Sequence, residues 1–528
     1  MDQAPWWRNA VVYEVYVRSF LDSSADGVGD LAGVADRVPY LSDLGVDALW
    51  LTPFYPSPMA DGGYDVADFR GVDPLFGDLA AFDALLATAH RHGLRIIIDL
   101  VPNHTSSAHP WFAAALAAPP DSPERDRYIF RAGSGPGGDR PPNNWRSVFG
   151  GPAWSRLPDG AWYLHLFAPE QPDLNWRNPE VAEEFAGILR FWLDRGVDGF
   201  RIDVAMGLFK DPGLPDIEGD DIRAKRTDGP VWNRPELHGL YRTWRRVLDG
   251  YDGDRMAVGE IWTDAPAELA RYVRPDELHQ AFTFDWLRAD WSAAEFREVA
   301  AGALEATAPV GAANTWVLAN HDVVRQVTRF GGGAVGLARA RAALLATLAL
   351  PGSAYLYQGE ELGLPEVTDI PEDALQDPIW ERSGHRRRGR DGCRVPIPWA
   401  EDGVSYGFGP DGVRPWLPMP VTWSPLSVQA QDRDPGSTLN LYRRALRTRR
   451  AEPALHGAEF RWLDLGPDVL AFTRSPDSAG PGLTCVLNCG TEPVPLPPHT
   501  EVLLTSTRPG AAADGELPAD TAVWLRTP

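Results

Sequence analysis

Short β-branched and aromatic runs recur along the chain, and each is followed by a stretch with helical spacing of apolar residues. Eight runs read as strands: 11–20, 48–54, 95–104, 199–205, 257–262, 281–286, 315–322 and 353–361. Helical spacing fills 31–45, 79–93, 179–196 and 334–350, and Gly45, Gly93 and Gly196 stand where a C-cap belongs. Eight strand–helix units predict an α/β fold, a closed (β/α)8 TIM barrel. A doubly wound open sheet is the alternative, but no G-x-G-x-x-G follows the first strand.

Three segments exceed ordinary loop length. Residues 105–172, rich in Pro, Gly and Trp, predict a small inserted subdomain after strand three; 206–234 follows strand four and 362–435 follows strand eight. All three fall on the C-terminal face, where barrel enzymes build their sites. After a helix near 436–450, alternating strands with Pro/Gly turns predict a C-terminal antiparallel β-sandwich domain. The expected organisation is therefore barrel at 1–104, insert at 105–172, barrel again at 173–450, and β-domain at 451–528.

Charge narrows the partners. Asp and Glu number 73 against 50 Lys and Arg, a formal net charge of −23, which disfavours nucleic acid and anionic membrane. Cys393, Cys485 and Cys489 make neither a disulfide framework nor a zinc spacing. With no signal-peptide pattern and no long apolar run, the expectation is a cytoplasmic protein of unassigned oligomeric state. The 21 Trp, 14 Tyr and 20 Phe suit sugar rings, although most must serve the core.

Acidic residues end four of the expected strands: Asp99, Asp203, Glu260 and Asp322. Arg201 and Asp203 are two apart and share a strand face, so the guanidinium is expected to hold the carboxylate ionised, as a nucleophile requires. Glu260 lies between Ala-Val-Gly and Ile-Trp, an apolar setting expected to keep it protonated as a general acid. Two carboxyls in opposed environments point to glycosidic bond cleavage.

The ordered segments DLVPNH (99–104), GFRIDV (199–204), GEIW (259–262) and NHD (320–322) resemble the four signature segments of the α-amylase family of glycoside hydrolases. QPDLNW (171–176) resembles a further family segment, and YQGEE (357–361) and RDGCRVPIPW (390–399) resemble segments of its α-glucosidase and oligo-1,6-glucosidase branch. The resemblance implies Asp203 as nucleophile, Glu260 as acid/base and Asp322 as the third carboxylate. It implies His104, His321 and Tyr64 around the glucose ring, with Arg201 behind Asp203 and Asp99 and Asn103 supporting the rim. Asp61 and Arg394 match positions that pair across the far end of the pocket in this branch, which implies exo action.

The loop Asp22-Ser-Ser-Ala-Asp-Gly-Val-Gly-Asp30 resembles the branch's Ca²⁺ or Mg²⁺ loop, with Asp22, Ser24, Asp26, the Val28 carbonyl and Asp30 as implied ligands. Any such metal is expected to be structural, with no cofactor in catalysis. The expected activity is a retaining α-glucosidase acting on maltose and short malto-oligosaccharides. An oligo-1,6-glucosidase, or a glucosyl transferase or isomerase of the trehalose synthase, sucrose isomerase or amylosucrase type, is the alternative. Val204, after the nucleophile, resembles α-1,6-cleaving members, whereas Met206 and Phe209 are expected to wall the aglycone subsite and favour maltose.

Overall fold

A computed structural model describes residues 5–219, 222, 229–263, 265–507 and 515–527. Eight parallel strands close into a barrel in sequence order: β1 (Val11–Val15), β2 (Ala48–Leu51), β3 (Arg95–Leu100), β4 (Gly199–Ile202), β5 (Met256–Gly259), β6 (Gln280–Thr283), β7 (Thr315–Val317) and β8 (Ser353–Tyr357). Six fall inside a run expected from the sequence, β5 and β6 begin one residue before theirs, and all eight end earlier than expected at the C-terminal end. In the third run Pro102 has no N–H to give the ladder, so residues beyond Leu100 leave the sheet and become rim. The sixth run, read as strand through Trp286, instead turns into a short helix, Phe284–Arg288.

The period of two along each strand explains where the chemistry sits. Val12, Trp50, Ile97, Val258, Phe282 and Tyr355 fill the lumen as one apolar cluster, while Tyr13, Leu49, Ile96, Ile98 and Phe200 face the surrounding helices. Glu14, Asp99 and Glu260 each lie two residues beyond a lumen residue, so the same alternation carries them to the top of the lumen. Asp99 and Arg201 are register partners across β3 and β4. The helices Leu31–Leu44, Leu79–Arg91 and Pro179–Asp194 begin on side-chain caps from Asp30, Asp78 and Asn178. Gly45, Gly93 and Gly196 take positive φ just past the ends of these helices.

Between β3 and the helix Pro179–Asp194 lie two short helices and a three-stranded antiparallel sheet of Phe130–Ala132, Ala161–Leu164 and Trp154–Arg156. The helix Thr438–Ala451 leads to a five-stranded antiparallel sheet, faced by a two-stranded ribbon of Val494–Pro495 and Glu516–Leu517. Trp524 anchors this sheet to the barrel by donating its indole N–H to the Leu345 carbonyl at 3.0 Å. Among the described residues, no helix is long and apolar enough to cross a membrane.

Just past β8, Glu360 is buried, accepting from the Tyr357 amide at 2.9 Å and the Tyr442 hydroxyl at 3.3 Å, and burial raises its pKa to about 8. The folded state thus binds a proton that the unfolded chain releases near pH 4.5. This contribution to stability is complete below that pH and is lost as pH rises through about 8. Melting temperature is expected to fall by ~2 °C or more from pH 6 to 9, and the fall should be smaller in Glu360→Gln.

Candidate active site

A cavity of about 530 Å³ opens on the C-terminal face of the barrel, with Asp61, Tyr64, His104, Asp203, Glu260 and Asp322 in its lining. Arg201 organises one side of its floor. Its Nη1 donates to Asp99 Oδ1 at 2.6 Å and to Asp203 Oδ1 at 2.7 Å, and its Nη2 donates to Glu260 Oε2 at 2.7 Å. The Arg201 guanidinium lies 5.0 Å from the Trp50 ring centre and 5.8 Å from that of Tyr64. Asp99 accepts from the Trp50 indole at 2.9 Å and the Tyr64 hydroxyl at 3.0 Å, so it fixes Tyr64 in the cavity wall.

The surroundings of the two principal carboxyls differ from those read off the sequence. Burial raises the Asp203 pKa well above the usual range; Arg201 opposes this, while Glu260 and Asp99 add to it. Glu260 is not in a purely apolar setting. Its Oε2 also accepts from the Val204 amide at 3.1 Å, and its Oε1 from the Trp262 indole at 2.8 Å. Val204 reaches it by adopting φ of 45°, a left-handed conformation rare for a β-branched residue and a local strain of the kind found at functional sites.

On the opposite side of the floor, His321 is stacked between Tyr64, at 5.3 Å between ring centres, and Tyr16, at 5.6 Å. Its Nδ1 is hydrogen-bonded to Glu14. Burial raises the Glu14 carboxyl and lowers the His321 imidazole, so both shifts favour uncharged forms. Asp322 behaves oppositely: burial would raise its pKa, but His321, Arg390, Arg394 and Arg201 hold it well below the ordinary range. His104 is lowered to about 4 by burial, and its Nε2 lies 3.1 Å from the Tyr64 carbonyl.

The expected pairing of Asp61 with Arg394 is corrected. Arg390 Nη2 donates to Asp61 Oδ1 at 2.6 Å, while Arg394 donates from Nη2 to Asp322 Oδ1 and from Nε to the His321 carbonyl, both at 2.9 Å. Arg390 also reaches Asp322 at 3.1 Å and Asp377 at 2.5 Å, so one guanidinium ties three carboxylates together. The short helix Asp391–Arg394 puts both arginines one turn apart on the side facing Asp322. Of the two residues expected to wall the aglycone subsite, Met206 lines the cavity, whereas Phe209 turns toward Trp176 and Arg177.

Sequence reasoning missed Glu14, Arg390 and Gln171. A lone carboxylate in the run Val-Val-Tyr-Glu-Val-Tyr-Val was the available signal for Glu14, and Arg390 opens the quoted segment that holds Arg394. Gln171 Nε2 donates to Asp61 at 3.1 Å, extending the inserted subdomain into the floor.

At the proposed cation loop, Asp22 accepts from the amides of Ser24, Ala25 and Gly27 at 2.7–3.0 Å, and Asp26 from that of Val28 at 2.9 Å. Asp30 accepts from Ser23 and from Gly33, capping the first helix. Among the described residues, no group of three or more His, Cys, Asp or Glu side chains is arranged to hold a metal ion. These contacts close the loop on its own amides.

The α-amylase catalytic domain model matches residues 14–458. A protein of Rhizobium meliloti named probable α-glucosidase is 41% identical over 489 residues, 89% of this chain and 87% of its own. An oligo-1,6-glucosidase of Parageobacillus thermoglucosidasius is 36% identical over 507 residues, covering 89% of this chain and 88% of its own. The crystal structure of the α-glucosyl transfer enzyme XgtA superposes with a TM-score of 0.89 at 40% identity, covering 100% of both chains. With its barrel, its strand-end carboxylates and these relatives, the chain belongs to the α-amylase family of glycoside hydrolases.

Proposed function

We propose that the protein is a retaining, exo-acting α-glucosidase that releases terminal α-1,4-linked glucose from maltose and short malto-oligosaccharides. The observation that carries this reading is the Asp61–Arg390 ion pair beside the Asp203–Arg201–Glu260 cluster, because it bars further sugar units beyond the one at the reacting carbon. The terminal glucose lies against Tyr64, with Asp61, His104, Arg390 and Asp322 at its hydroxyls. Asp203 attacks the anomeric carbon while Glu260 gives its proton to the glycosidic oxygen. Water, deprotonated by Glu260, then attacks the glucosyl–Asp203 ester and frees glucose with the original configuration. Asp322, held charged by its arginines, stabilises the positive charge that develops on the sugar. The reaction as proposed needs only these carboxyls and calls for no cofactor. The three free cysteines, two of them buried, fit the cytoplasm as its compartment.

NMR of the first-formed glucose is expected to show the α-anomer, with rates falling as chains lengthen and negligible action on starch. A β-anomer overturns the roles of Asp203 and Glu260. Met206 in the cavity wall favours maltose over isomaltose, although a single apolar contact discriminates by only about 1–3 kcal/mol.

A second reading is glucosyl transfer through the same intermediate. It is favoured by the apolar side of the cavity, Val204, Met206, Trp232 and Trp262, which suits an acceptor other than water, and by the similarity to a glucosyl transfer enzyme. Product analysis on concentrated maltose separates the two: hydrolysis yields glucose alone, transfer yields longer glucosides.

A further inference from the structure

The charges of this cavity are distributed unevenly between floor and mouth. On the floor every lining carboxylate meets a guanidinium: Asp203 and Glu260 meet Arg201, and Asp61 and Asp322 meet Arg390. At the mouth the balance reverses, because Arg288, Arg387 and Arg388 line the same cavity and none has a carboxylate partner among the described residues. Arg388 gives one N–H to the Ile370 carbonyl, and Arg288 lies over the Trp262 ring at 4.4 Å. Arg288 and Arg387 are exposed, so their remaining donors are open to solvent. The chain carries a formal charge of −23, so three guanidinium groups at one opening with no carboxylate partner among the described residues are the opposite of its average surface.

Geometry relates these groups to the substrate. Trp262 donates to Glu260, the proposed proton donor, and stacks on Phe284 with ring centres 3.9 Å apart. Arg288, stacked on the same Trp262, therefore stands on the leaving-group side of the reacting bond. Arg387 and Arg388 come from the long segment after β8, three and two residues before the Arg390 that closes the floor. Guanidinium groups with unsatisfied donors recognise carboxylate and phosphate oxygens by paired, charge-assisted hydrogen bonds.

We propose that the mouth of this cavity selects α-glucosides whose aglycone carries an anionic group, a carboxylate or a phosphate monoester. This deepens the glucosidase reading and rests on it. Water splits the glycosidic bond as before, giving glucose and the anionic alcohol, and the three arginines act on binding of the aglycone rather than on the reacting atoms.

The test compares kcat/KM within two matched pairs that differ in charge on the aglycone. Maltobionate is set against maltitol, and maltose phosphorylated at O6 of its reducing glucose against maltose. At low ionic strength the anionic member of at least one pair is expected to be favoured about tenfold, and 0.5 M NaCl should shrink that ratio severalfold. In the double variant Arg387→Gln/Arg388→Gln, and separately in Arg288→Gln, the ratio should fall toward one. The pair that responds tells carboxylate from phosphate. An enzyme that turns over maltose but shows neither preference, or whose preference survives both sets of substitutions, overturns this inference alone. Failure on all four substrates overturns the glucosidase reading with it.

Discussion

Asp203→Asn is expected to lower kcat/KM on maltose by ~10⁴-fold or more while leaving the protein folded. The amide keeps the size of the carboxyl but cannot form the glucosyl ester, so no intermediate accumulates. Stability should not suffer. Asp203 is a buried group whose pKa burial already raises, and Arg201 retains Asp99 and Glu260 as partners after the substitution. Melting temperature should therefore stay within about 2 °C of wild type or rise, because removing a poorly solvated charge relieves a desolvation cost. Glu260→Gln gives the contrasting result that identifies the acid. Its loss should be of similar size on maltose, whose leaving group needs a proton, and far smaller in the first step on p-nitrophenyl α-glucoside, whose leaving group does not. Near wild-type turnover by either variant removes the residue from its assigned role.

Arg390→Gln carries the second large effect. That one guanidinium holds Asp61, Asp322 and Asp377, with Nη2 on the first, Nη1 on the second and Nε on the third. Removing it leaves three carboxylates, two of them lining the cavity, without the cation they share, and breaking a buried ion pair costs about 3–5 kcal/mol. We expect kcat/KM on maltose to fall by ~10²–10³-fold, chiefly through KM, and exo selectivity to weaken so that longer chains lose less than maltose. Arg390→Lys should not restore activity, because a single ammonium cannot present three donors in a planar fork. Arg394→Gln should cost less, since Asp322 keeps Arg390 and Asp61 does not depend on Arg394. An unchanged KM in Arg390→Gln, or a larger loss in Arg394→Gln, would return the closing role to Arg394.

The barrel was legible because its cues are local. Each strand announces itself by a few β-branched residues, each helix by its cap and its apolar stripe, and eight repetitions in order leave little choice of topology. The positions of Asp99, Arg201 and Glu260 at the top of the lumen follow from the same alternation. The limits of that reading are equally physical. In the run ending in Asn103-His104, Pro102 marks where the ladder stops, but Val101 before it keeps the apolar character of the strand and carried the expected strand past its end. Glu260 looked apolar from its neighbours in sequence, yet Arg201 and the Val204 amide come to it from the adjacent strand end.

The sequence alone determined the architecture and the strand-end carboxylates Asp99, Asp203, Glu260 and Asp322, since each depends on residues within one or two turns or strands of one another. Only the tertiary structure decided which arginine of the segment 390–399 pairs with Asp61. Arg390 and Arg394 sit one helical turn apart in the same segment, with the same charge and reach, and Asp61 is 329 positions away from the residue it binds. The packing of the long connection after β8 against the inserted subdomain sets which guanidinium faces Asp61, and nothing within a helical turn of either residue records that choice. The arginines at the mouth, without a carboxylate partner among the described residues, are of the same kind: they could be counted in the sequence, but whether carboxylates meet them is a matter of fold.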